Sequence, residues 1–490
     1  MTLNIKKTAI YIIGFIFLTF FYASISKQIL PSSDAVSGLL EGKDIADGNW
    51  TLSGWYLSTV SFYFTDIIWY GLASKVFWYG QYQAYCIPAI MYSMVTLMTF
   101  YLSKERLSSL WAISFCVALP SGFAVLNVLI PVIHVGTYVS MLFCFIMLDN
   151  FSKTRSLISL SLYILVLALA CFSDDIIKLL IIAPVAISSV IFIVKTKSQK
   201  NLIILVATIF AYVASKIMTM YARAHNWYIL PGVPDPTFVA FDDILNNLYL
   251  FVKGFLLYSG AFFFGKPPSD ITALISVFCF VVMILLLILV AMSVKEIFKT
   301  SMINMAICIA CIIMIPAYLA SNRPIDEWTI RYIVPFFILA PVVIGRSNNS
   351  RGWKFIALGV VTTFILFCSI YMHENEKKDN SNDIINQIKH TVRQNNLTNG
   401  YASFWFASSA SIDGDISIAP IDVNRGLNIL ACNKWLSKNY WYERGGNFII
   451  TDDEVMRNIT IKEIGNPSKV IDVGDKKIFV YDKNITFNCN

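Results

Sequence analysis

The feature that most constrains this chain is its series of long apolar segments. A helix needs about 20 mainly apolar residues to cross a lipid bilayer, and about eleven segments of the 490-residue sequence approach that length. Only 14% of the residues are charged, against roughly a quarter in soluble domains. The sequence therefore predicts a polytopic α-helical membrane protein. The segments cover residues 8–23, 81–102, 110–128, 132–148, 157–172, 176–194, 202–221, 271–294, 302–320, 332–345 and 355–372.

Two of these segments, and two aromatic stretches outside them, allow more specific predictions. The third and fourth segments are short and are interrupted by Pro120 and Pro131, which favours a hairpin or a partly re-entrant pair. The aromatic stretches 55–79 and 241–265 contain embedded charges. They are typical of helices that lie in the membrane interface, although either could instead hold a hidden pair of spans.

The loops between the segments alternate in charge. Because cytoplasmic loops carry an excess of Lys and Arg, the basic loops and the N terminus are predicted to be cytoplasmic. The acidic loops and everything after residue 372 are then predicted to face outward. The net charge of +7 is explained by this bias and does not indicate a nucleic-acid partner. The basic loops lie at residues 6–7, 104–106, 153–155, 195–200, 295–299 and 346–354.

The composition changes near residue 373, which predicts two domains, a membrane domain (1–372) and an outer domain (373–490). Short alternating runs separated by Gly and Asn indicate a small α/β domain. Cys432 and Cys489 lie in this region, and they are candidates for a disulfide if the compartment is oxidising. The runs expected to form strands are 401–408, 416–423, 447–453, 469–473 and 476–482.

The loop after the first apolar segment, residues 32–58, is acidic and aromatic. Asp34 lies close to the membrane, where an ionised carboxylate could serve as a general base for an acceptor hydroxyl. The alternative is helix capping, because Ser32 and Asp34 are both good N-cap residues. Glu41 falls one or two helical turns later and could share that face. Asp44 is a candidate for contact with an acceptor or a metal, or else is simply solvated.

A second polar group is predicted at the outer end of the fifth and sixth segments. Adjacent carboxylates at a membrane edge are costly unless they are used. Asp174 and Asp175 could hold a divalent ion, bind a sugar hydroxyl or fix Lys178, or form only an outward ion pair. His134 is the one histidine near an outer membrane boundary, and it is either a structural residue or a further acceptor or metal candidate.

Arginines flank the loop before the tenth segment. The planar fork of Arg331, followed by Tyr332, suits a phosphate, and the alternative is pairing with the acidic residues at 326–327. Three further residues are candidates for donor binding: Arg323, Arg223 and Lys178.

These features together resemble the GT-C superfamily of membrane glycosyltransferases. The residues that carry the resemblance are the acidic first loop, the acidic pair at 174–175 and the Arg331–Tyr332 motif before a late span. Within the superfamily the chain is similar to the phage-type serotype-converting O-antigen glucosyltransferases of enteric bacteria. The resemblance implies a GT-C-like fold of about eleven spans in a bacterial inner membrane, with the C-terminal domain in the periplasm.

The resemblance also implies the chemistry. The donor would be undecaprenyl-phosphate glucose, the acceptor a lipid-linked O-antigen unit, and the first-loop carboxylate Asp34 or Glu41 the catalytic base. A strict DxD motif is absent from the first loop, so metal dependence stays open, with Mg²⁺ or Mn²⁺ as the candidate ions. Two rival functions are kept: a non-catalytic flippase or transporter of lipid-linked sugars, and an O-antigen polymerase.

Overall fold

The computed structural model describes residues 5–29, 31–106, 109–232, 236–347, 384–424, 426–487 and 489. Within these residues the chain is mainly helical, and eight helices are long and apolar enough to cross a membrane. The protein is therefore a multi-pass helical membrane protein. The eight are α1 (Ile5–Ser26), α4 (Gln83–Leu102), α7 (Val135–Thr154), α9 (Lys178–Thr196), α10 (Gln199–Ala224), α12 (Ile271–Ile297), α13 (Met302–Ala320) and α14 (Glu327–Arg346).

Eleven spans are not confirmed. The third expected span is two helices, α5 (Leu110–Ala118) and α6 (Gly122–Val128), bent by 74° at Pro120. The fifth is α8 (Leu157–Ser173), which has only 17 residues. The expected span at 355–372 lies outside the described residues.

The fourth expected span, which is predicted to be short and broken, is instead one continuous helix. The helix α7 runs for 20 residues without a break, because Pro131 lies in the turn before it, where proline removes no helical hydrogen bond. The N-terminal turn of α7 lies very close to the backbone at Thr65. A Cβ on Gly136 would lie 1.8 Å from the carbonyl oxygen of Thr65, so only glycine allows this approach.

The helix α14 lies at the centre of the membrane domain. All of its residues from Val334 to Arg346 are buried, and it packs against α4, α12 and α13. On the other side, α1, α4, α7, α8 and α10 pack in succession. The polar groups on the first turns of α14 are therefore placed by rigid neighbours.

The two aromatic stretches form helices that are not among the candidate spans. The first contains a π turn (Tyr63–Ile67) and α3 (Ile68–Phe77), and ten residues are too short to cross a bilayer. The second contains α11 (Phe241–Tyr258), an amphipathic helix. Neither contains a hidden pair of spans.

The acidic first loop begins with a helix, α2 (Ser33–Ala46). Its glycines allow close packing, since a Cβ on Gly42 would lie 2.4 Å from Cβ of Tyr70 in α3. On another side α2 packs against α16 (Phe404–Ala410) of the C-terminal domain. The first loop is thus enclosed by the membrane domain and the C-terminal domain.

The C-terminal domain is α/β and contains a six-stranded sheet. The run at 401–408 is not one strand, because the aromatic residues from Phe404 onward form α16. The strands are β2 (Asn399–Ala402), β3 (Ser417–Asn424), β4 (Ile429–Cys432), β6 (Gly446–Thr451), β7 (Lys469–Val473) and β8 (Lys476–Ile485). Their order across the sheet is β4-β3-β2-β6-β8-β7. The helices beside α16 are α15 (384–394), α17 (Asn439–Arg444) and α18 (Glu454–Ile464).

A second, two-stranded sheet joins the domains. The strand β1 (Trp55–Tyr56) of the first loop pairs antiparallel with β5 (Ser437–Lys438) of the C-terminal domain. In the C-terminal domain itself, Cys432 and Cys489 are joined by a disulfide with a Cα–Cα distance of 5.6 Å. The disulfide fastens Cys489 to β4.

Candidate active site

Asp34 lies in the first turn of α2 and is exposed to solvent on one side. The capping role belongs to Ser32, whose Oγ accepts a hydrogen bond from the Ala35 amide at 3.4 Å. The carboxylate of Asp34 is therefore free for another use. Burial by the surrounding protein raises its pKa, and the nearby side chains of Arg331 and Trp435 partly oppose that rise.

Arg331 lies in the first turns of α14, near enough to Asp34 to act on its carboxylate electrostatically. Tyr138 Oη donates to its carbonyl oxygen at 3.1 Å, and its guanidinium carbon lies 5.5 Å from the ring centroid of Tyr332. Its Nε is buried and has no hydrogen-bond partner among the described residues. An unpartnered buried donor is costly, so this Nε is a candidate to donate to an anionic oxygen.

The alternative to phosphate binding, a pairing of Arg331 with its acidic neighbours, is not seen among the described residues. Glu327 instead pairs with Lys253 at 3.3 Å. Asp326 caps the start of α14 by accepting from the Thr329 amide at 3.2 Å. The positive charge of Arg331 is therefore not neutralised by the loop that carries it.

Asp174 and His134 form a buried pair beside Arg331 and Tyr332. Asp174 Oδ2 lies 2.5 Å from His134 Nδ1 and accepts from Thr137 Oγ1 at 2.6 Å. The imidazole ring lies 6.2 Å from the ring of Tyr332. Burial opposes ionisation of Asp174, but the histidine, the threonine and a backbone amide outweigh it and lower its pKa. Asp174 is therefore an ionised anchor for the imidazole.

Asp66 is a further acidic residue that the sequence analysis did not propose. It lies in the π turn before α3, and its Oδ1 accepts from the Gly136 amide at 3.3 Å. Burial raises its pKa to about 6, although the nearby His134 lowers it. The signal in the sequence was a lone acid within the aromatic stretch 55–79, where an uncompensated carboxylate is costly.

Glu41, the second candidate base, is separated from solvent. Only 1% of the residue is exposed, and its Oε1 has no hydrogen-bond partner among the described residues. Burial and the nearby Asp44 raise the pKa of Glu41 well above its usual range. A buried, protonated carboxyl cannot take a proton from a hydrophilic acceptor, so the geometry favours Asp34 over Glu41.

The carboxylate of Asp44 is occupied by contacts within the protein. It pairs with Lys438 at 2.7 Å and accepts from the indole of Trp55 at 2.8 Å and from Asn49 at 2.6 Å. Two of these partners belong to the first loop and one to the C-terminal domain. Asp44 therefore anchors the C-terminal domain to the first loop.

The remaining cationic candidates lie outside this cluster of contacts. Lys178 pairs with Asp175 at 2.5 Å on an exposed turn, as the plain ion-pair alternative predicted. Arg223 is exposed at the end of α10, near Tyr228. Arg323 lies in the loop between α13 and α14. Of the four donor-binding candidates, Arg331 is the one that the structure brings to Asp34.

The geometry thus gathers a carboxylate, an arginine and an Asp–His pair at one end of the spanning helices. The residues come from α2, α14, α7 and the turn after α8, far apart in the sequence. Within the described ranges, no group of three or more His, Cys, Asp or Glu residues has the arrangement of a metal site. The arrangement can accept a proton at Asp34 and stabilise a negative charge beside Arg331.

The comparisons with known proteins do not add to this picture. Neither the protein-family models nor the curated proteins contain a match to the chain. The residues assembled around Asp34 and Arg331 in a multi-pass helical membrane protein are therefore the basis for a functional conclusion.

Proposed function

We propose that the chain is a GT-C-like inverting glycosyltransferase. It moves a sugar, with glucose as the first candidate, from undecaprenyl phosphate to a lipid-linked O-antigen or related polysaccharide acceptor. The observation that supports this most strongly is the buried, unpartnered Nε of Arg331, which lies near enough to Asp34 at one end of the spanning helices to act on its carboxylate electrostatically. A prenyl tail can lie in the bilayer there while its phosphate meets the unpartnered Nε of Arg331.

The reaction needs one base and one cation. Asp34 takes the proton of an acceptor hydroxyl, and the acceptor oxygen attacks the anomeric carbon of the donor. The bond from that carbon to the phosphate oxygen breaks, and the polyprenyl phosphate leaves with the electron pair. Attack opposite the leaving group inverts the anomeric centre. Because phosphate is a good leaving group, no general acid is required, and Arg331 stabilises the departing charge.

His134 is assigned to the acceptor. Asp174 holds one nitrogen of the imidazole at 2.5 Å, which fixes the ring and leaves the other nitrogen to meet a sugar hydroxyl. Holding the acceptor in one orientation lowers the entropic part of the barrier. The site thus has a donor side at Arg331 and an acceptor side at His134.

The proposed location is the inner membrane of a bacterium, with the N terminus in the cytoplasm and the C-terminal domain in the periplasm. The charge bias of the loops supports this orientation. The disulfide between Cys432 and Cys489 also supports it, because such bonds persist in the periplasm and are rare in the cytosol.

The deciding experiment is transfer from polyprenyl-phosphate glucose in isolated membranes. We expect Asp34→Asn to lower transfer by about 100-fold or more, the usual contribution of a general base. Asp47→Asn is the matched control, because Asp47 is an exposed carboxylate at the far end of α2 that pairs with Lys43. Glu41→Gln should keep most of the activity, since that carboxyl is buried.

The alternatives predict different outcomes. If Asp34→Asn transfers normally while present at the wild-type level, the assigned base is wrong. If the wild type transfers no sugar from several donors but moves lipid-linked sugars between leaflets in vesicles, the flippase function replaces the transferase. Elongation of the acceptor by whole repeat units would instead support the polymerase.

A further inference from the structure

The sheet of the C-terminal domain has a topological switch point between two neighbouring parallel strands, β2 and β6. The helix that follows β2, α16, packs on the sheet face of Ala402 and Ile450. The helix that follows β6, α18, packs on the opposite face, that of Tyr401 and Ile449. Parallel strands whose helices diverge in this way leave a crevice outside their carboxyl ends, which is where open α/β sheets bind ligands.

Two polar side chains with unused atoms line this crevice. Ser403 follows β2 and Asp452 follows β6, and the parallel register sets Ala402 beside Ile450. Ser403 Oγ and Asp452 Oδ1 are buried and have no hydrogen-bond partner among the described residues. Ser403 is the N-cap residue of α16, yet its side chain does not cap the helix. Because an unpartnered polar atom is costly, both atoms are candidates to bond a ligand.

The crevice is open to solvent at its rim, since the side chains of Ser403 and Asp452 are only half-buried. Burial raises the pKa of the Asp452 carboxyl, and the nearby side chain of Ser403 partly opposes that rise. Both observations are expected of two polar groups that share one crevice. A ligand at the rim can therefore meet them together.

Two cationic side chains border the same crevice. Lys476 Nζ donates to the Asp452 carbonyl oxygen at 3.3 Å and lies 5.4 Å from the ring centroid of Phe406 in α16. Arg457 Nη2, from α18, donates to the Asp475 carbonyl oxygen at 2.5 Å. The Nε of Arg457 is buried and unpartnered within the part of the chain that the structure describes. The crevice therefore offers hydrogen-bond donors as well as acceptors.

An exposed aromatic side chain stands beside these polar groups. Trp405 lies in the first turn of α16, two residues after Ser403, and is 61% exposed. Its ring packs edge-on against Phe404, with centroids 5.2 Å apart, so the indole is supported from one side. An aromatic wall next to a few convergent polar groups is the usual composition of a small-molecule site.

The charge of the crevice indicates the class of ligand. Its carboxylates outnumber its cations, so the net charge is negative, which disfavours a phosphate or another anion. A neutral polyhydroxyl compound instead uses donors and acceptors together and presents an apolar C–H face to an indole. The chemistry therefore favours a saccharide. The carboxylates are Asp452, Asp453, Glu454 and Asp475, and the cations are Arg457 and Lys476.

The crevice lies within reach of the transfer site. At the far end of α16, the Ser409 amide donates to Ser33 Oγ at 3.3 Å, and Ser33 adjoins Asp34. Ser403 is six residues before Ser409, about 9 Å along the helix axis. A saccharide chain of several sugars that presents a hydroxyl to Asp34 can therefore extend to the crevice.

We propose that the crevice of Ser403, Trp405 and Asp452 is a saccharide-binding site, with which the C-terminal domain holds the acceptor chain. The indole of Trp405 stacks on a sugar ring, and the side chains of Asp452 and Ser403 bond its hydroxyls. That the saccharide is the acceptor of transfer rests on the proposed function, whereas the binding of a saccharide does not.

The test is a binding titration of the full-length protein in detergent, labelled with 5-fluorotryptophan and followed by ¹⁹F NMR. The resonance of Trp405 is identified by its absence from Trp405→Phe. The probes are O-polysaccharide released by mild acid from bacterial lipopolysaccharide, dextran as a second saccharide, and sodium phosphate as the anion control. The Trp405 resonance should shift and saturate with O-polysaccharide and stay in place with phosphate.

Variants then locate the site. Asp452→Asn should weaken O-polysaccharide binding by about 10-fold, because a charge-assisted hydrogen bond is lost. Ser403→Ala should weaken it by about 5-fold and leave α16 intact, since that hydroxyl caps nothing. Asp472→Asn is the matched control: this carboxylate lies on β7, is 71% exposed and pairs with Lys477 at 3.1 Å, so its loss should leave the affinity unchanged.

Three results overturn the inference: no shift with either saccharide, an equal shift with phosphate, or an unchanged affinity in both Asp452→Asn and Ser403→Ala. Sugar transfer tests whether the saccharide is the acceptor. Trp405→Ala should raise the KM for the acceptor about 10-fold with kcat unchanged, because the crevice binds the chain away from the reacting atoms. An unchanged KM refutes the acceptor assignment. A wild type without transfer refutes the proposed function alone, because the NMR titration needs no activity.

Discussion

The two ends of α14 each carry an arginine, and the two arginines differ in their hydrogen-bond partners. Arg331 lies in the first turns and Arg346 is the last residue of the helix. At about 1.5 Å per residue they lie roughly 22 Å apart, near opposite sides of the spanning helices. One backbone element thus presents the same side chain to two different environments.

Arg346 is satisfied by the protein. Its Nε donates to the Leu102 carbonyl oxygen at 2.9 Å, and its Nη1 donates to Asn304 at 2.9 Å and to Asp149 at 3.3 Å. Only 2% of its side chain is exposed. A buried charge with this set of partners is a structural clasp that joins α4, α7 and α13 to α14.

Arg331 has a buried Nε with no hydrogen-bond partner among the described residues. Asp34 acts on it electrostatically, without a direct ion pair between them in the described structure. The contrast teaches how to separate structural from functional charge in a membrane protein. Arg346 is held by three protein acceptors, whereas under the proposed function the unused donor of Arg331 is kept for the phosphate of the sugar donor.

The largest expected effect is on folding, at Arg346. Arg346→Met should lower the free energy of unfolding by about 3–5 kcal/mol, because it breaks a buried ion pair and leaves the Leu102 carbonyl and the Asn304 side chain without their buried donor. The measurement is thermal unfolding in detergent, with membrane abundance alongside. Lys153→Met is the control. Lys153 also bonds to Asp149, at 2.6 Å, but its side chain is 63% exposed, so its loss should be nearly neutral.

The next effect is on transfer, at Arg331. Arg331→Gln should lower sugar transfer by about 100-fold, or about 2.7 kcal/mol in the barrier, with little change in the melting temperature. Arg331→Lys keeps the charge without the planar fork, so its rate of sugar transfer should lie between those of the wild type and Arg331→Gln. Loss of folding with unchanged transfer per folded molecule would contradict the distinction drawn between the two arginines.

A smaller effect is expected from the acceptor side. Asp174→Asn and His134→Gln should each lower transfer by about 10-fold, mainly through the KM for the acceptor, because the imidazole loses its fixed orientation. The double variant should be little worse than either single one, since the two residues act as a unit. Fully additive losses, measured in the same assay, would show that they act separately.

The smallest effect is expected at the ion pair between the domains. Lys438→Met should destabilise the docked C-terminal domain by about 1 kcal/mol or less, the usual worth of a partly exposed pair. Limited proteolysis at the interface should therefore be only slightly faster than in the wild type. Rapid release of the C-terminal domain in this variant would mean that Lys438 and Asp44 carry most of the docking energy.

Some features of this protein followed from the sequence alone. The apolar segments predicted a multi-pass helical membrane protein, and hydropathy was sufficient because a spanning helix must satisfy its backbone hydrogen bonds internally. The change in composition near residue 373 predicted a separate α/β region, and the described sheet agrees with it. The N-cap signal at the start of α2 was also local, and it resolved to Ser32.

Tertiary structure decided the rest. The break between α5 and α6 and the unbroken α7 depend on where each proline falls relative to a helix, which periodicity does not resolve. Asp34 and Glu41 looked alike in the sequence, but packing exposes the first and buries the second. His134 and Asp174 become partners only because α7 and α8 pack side by side. Long-range contacts select among chemically equivalent residues, and a linear pattern cannot specify them.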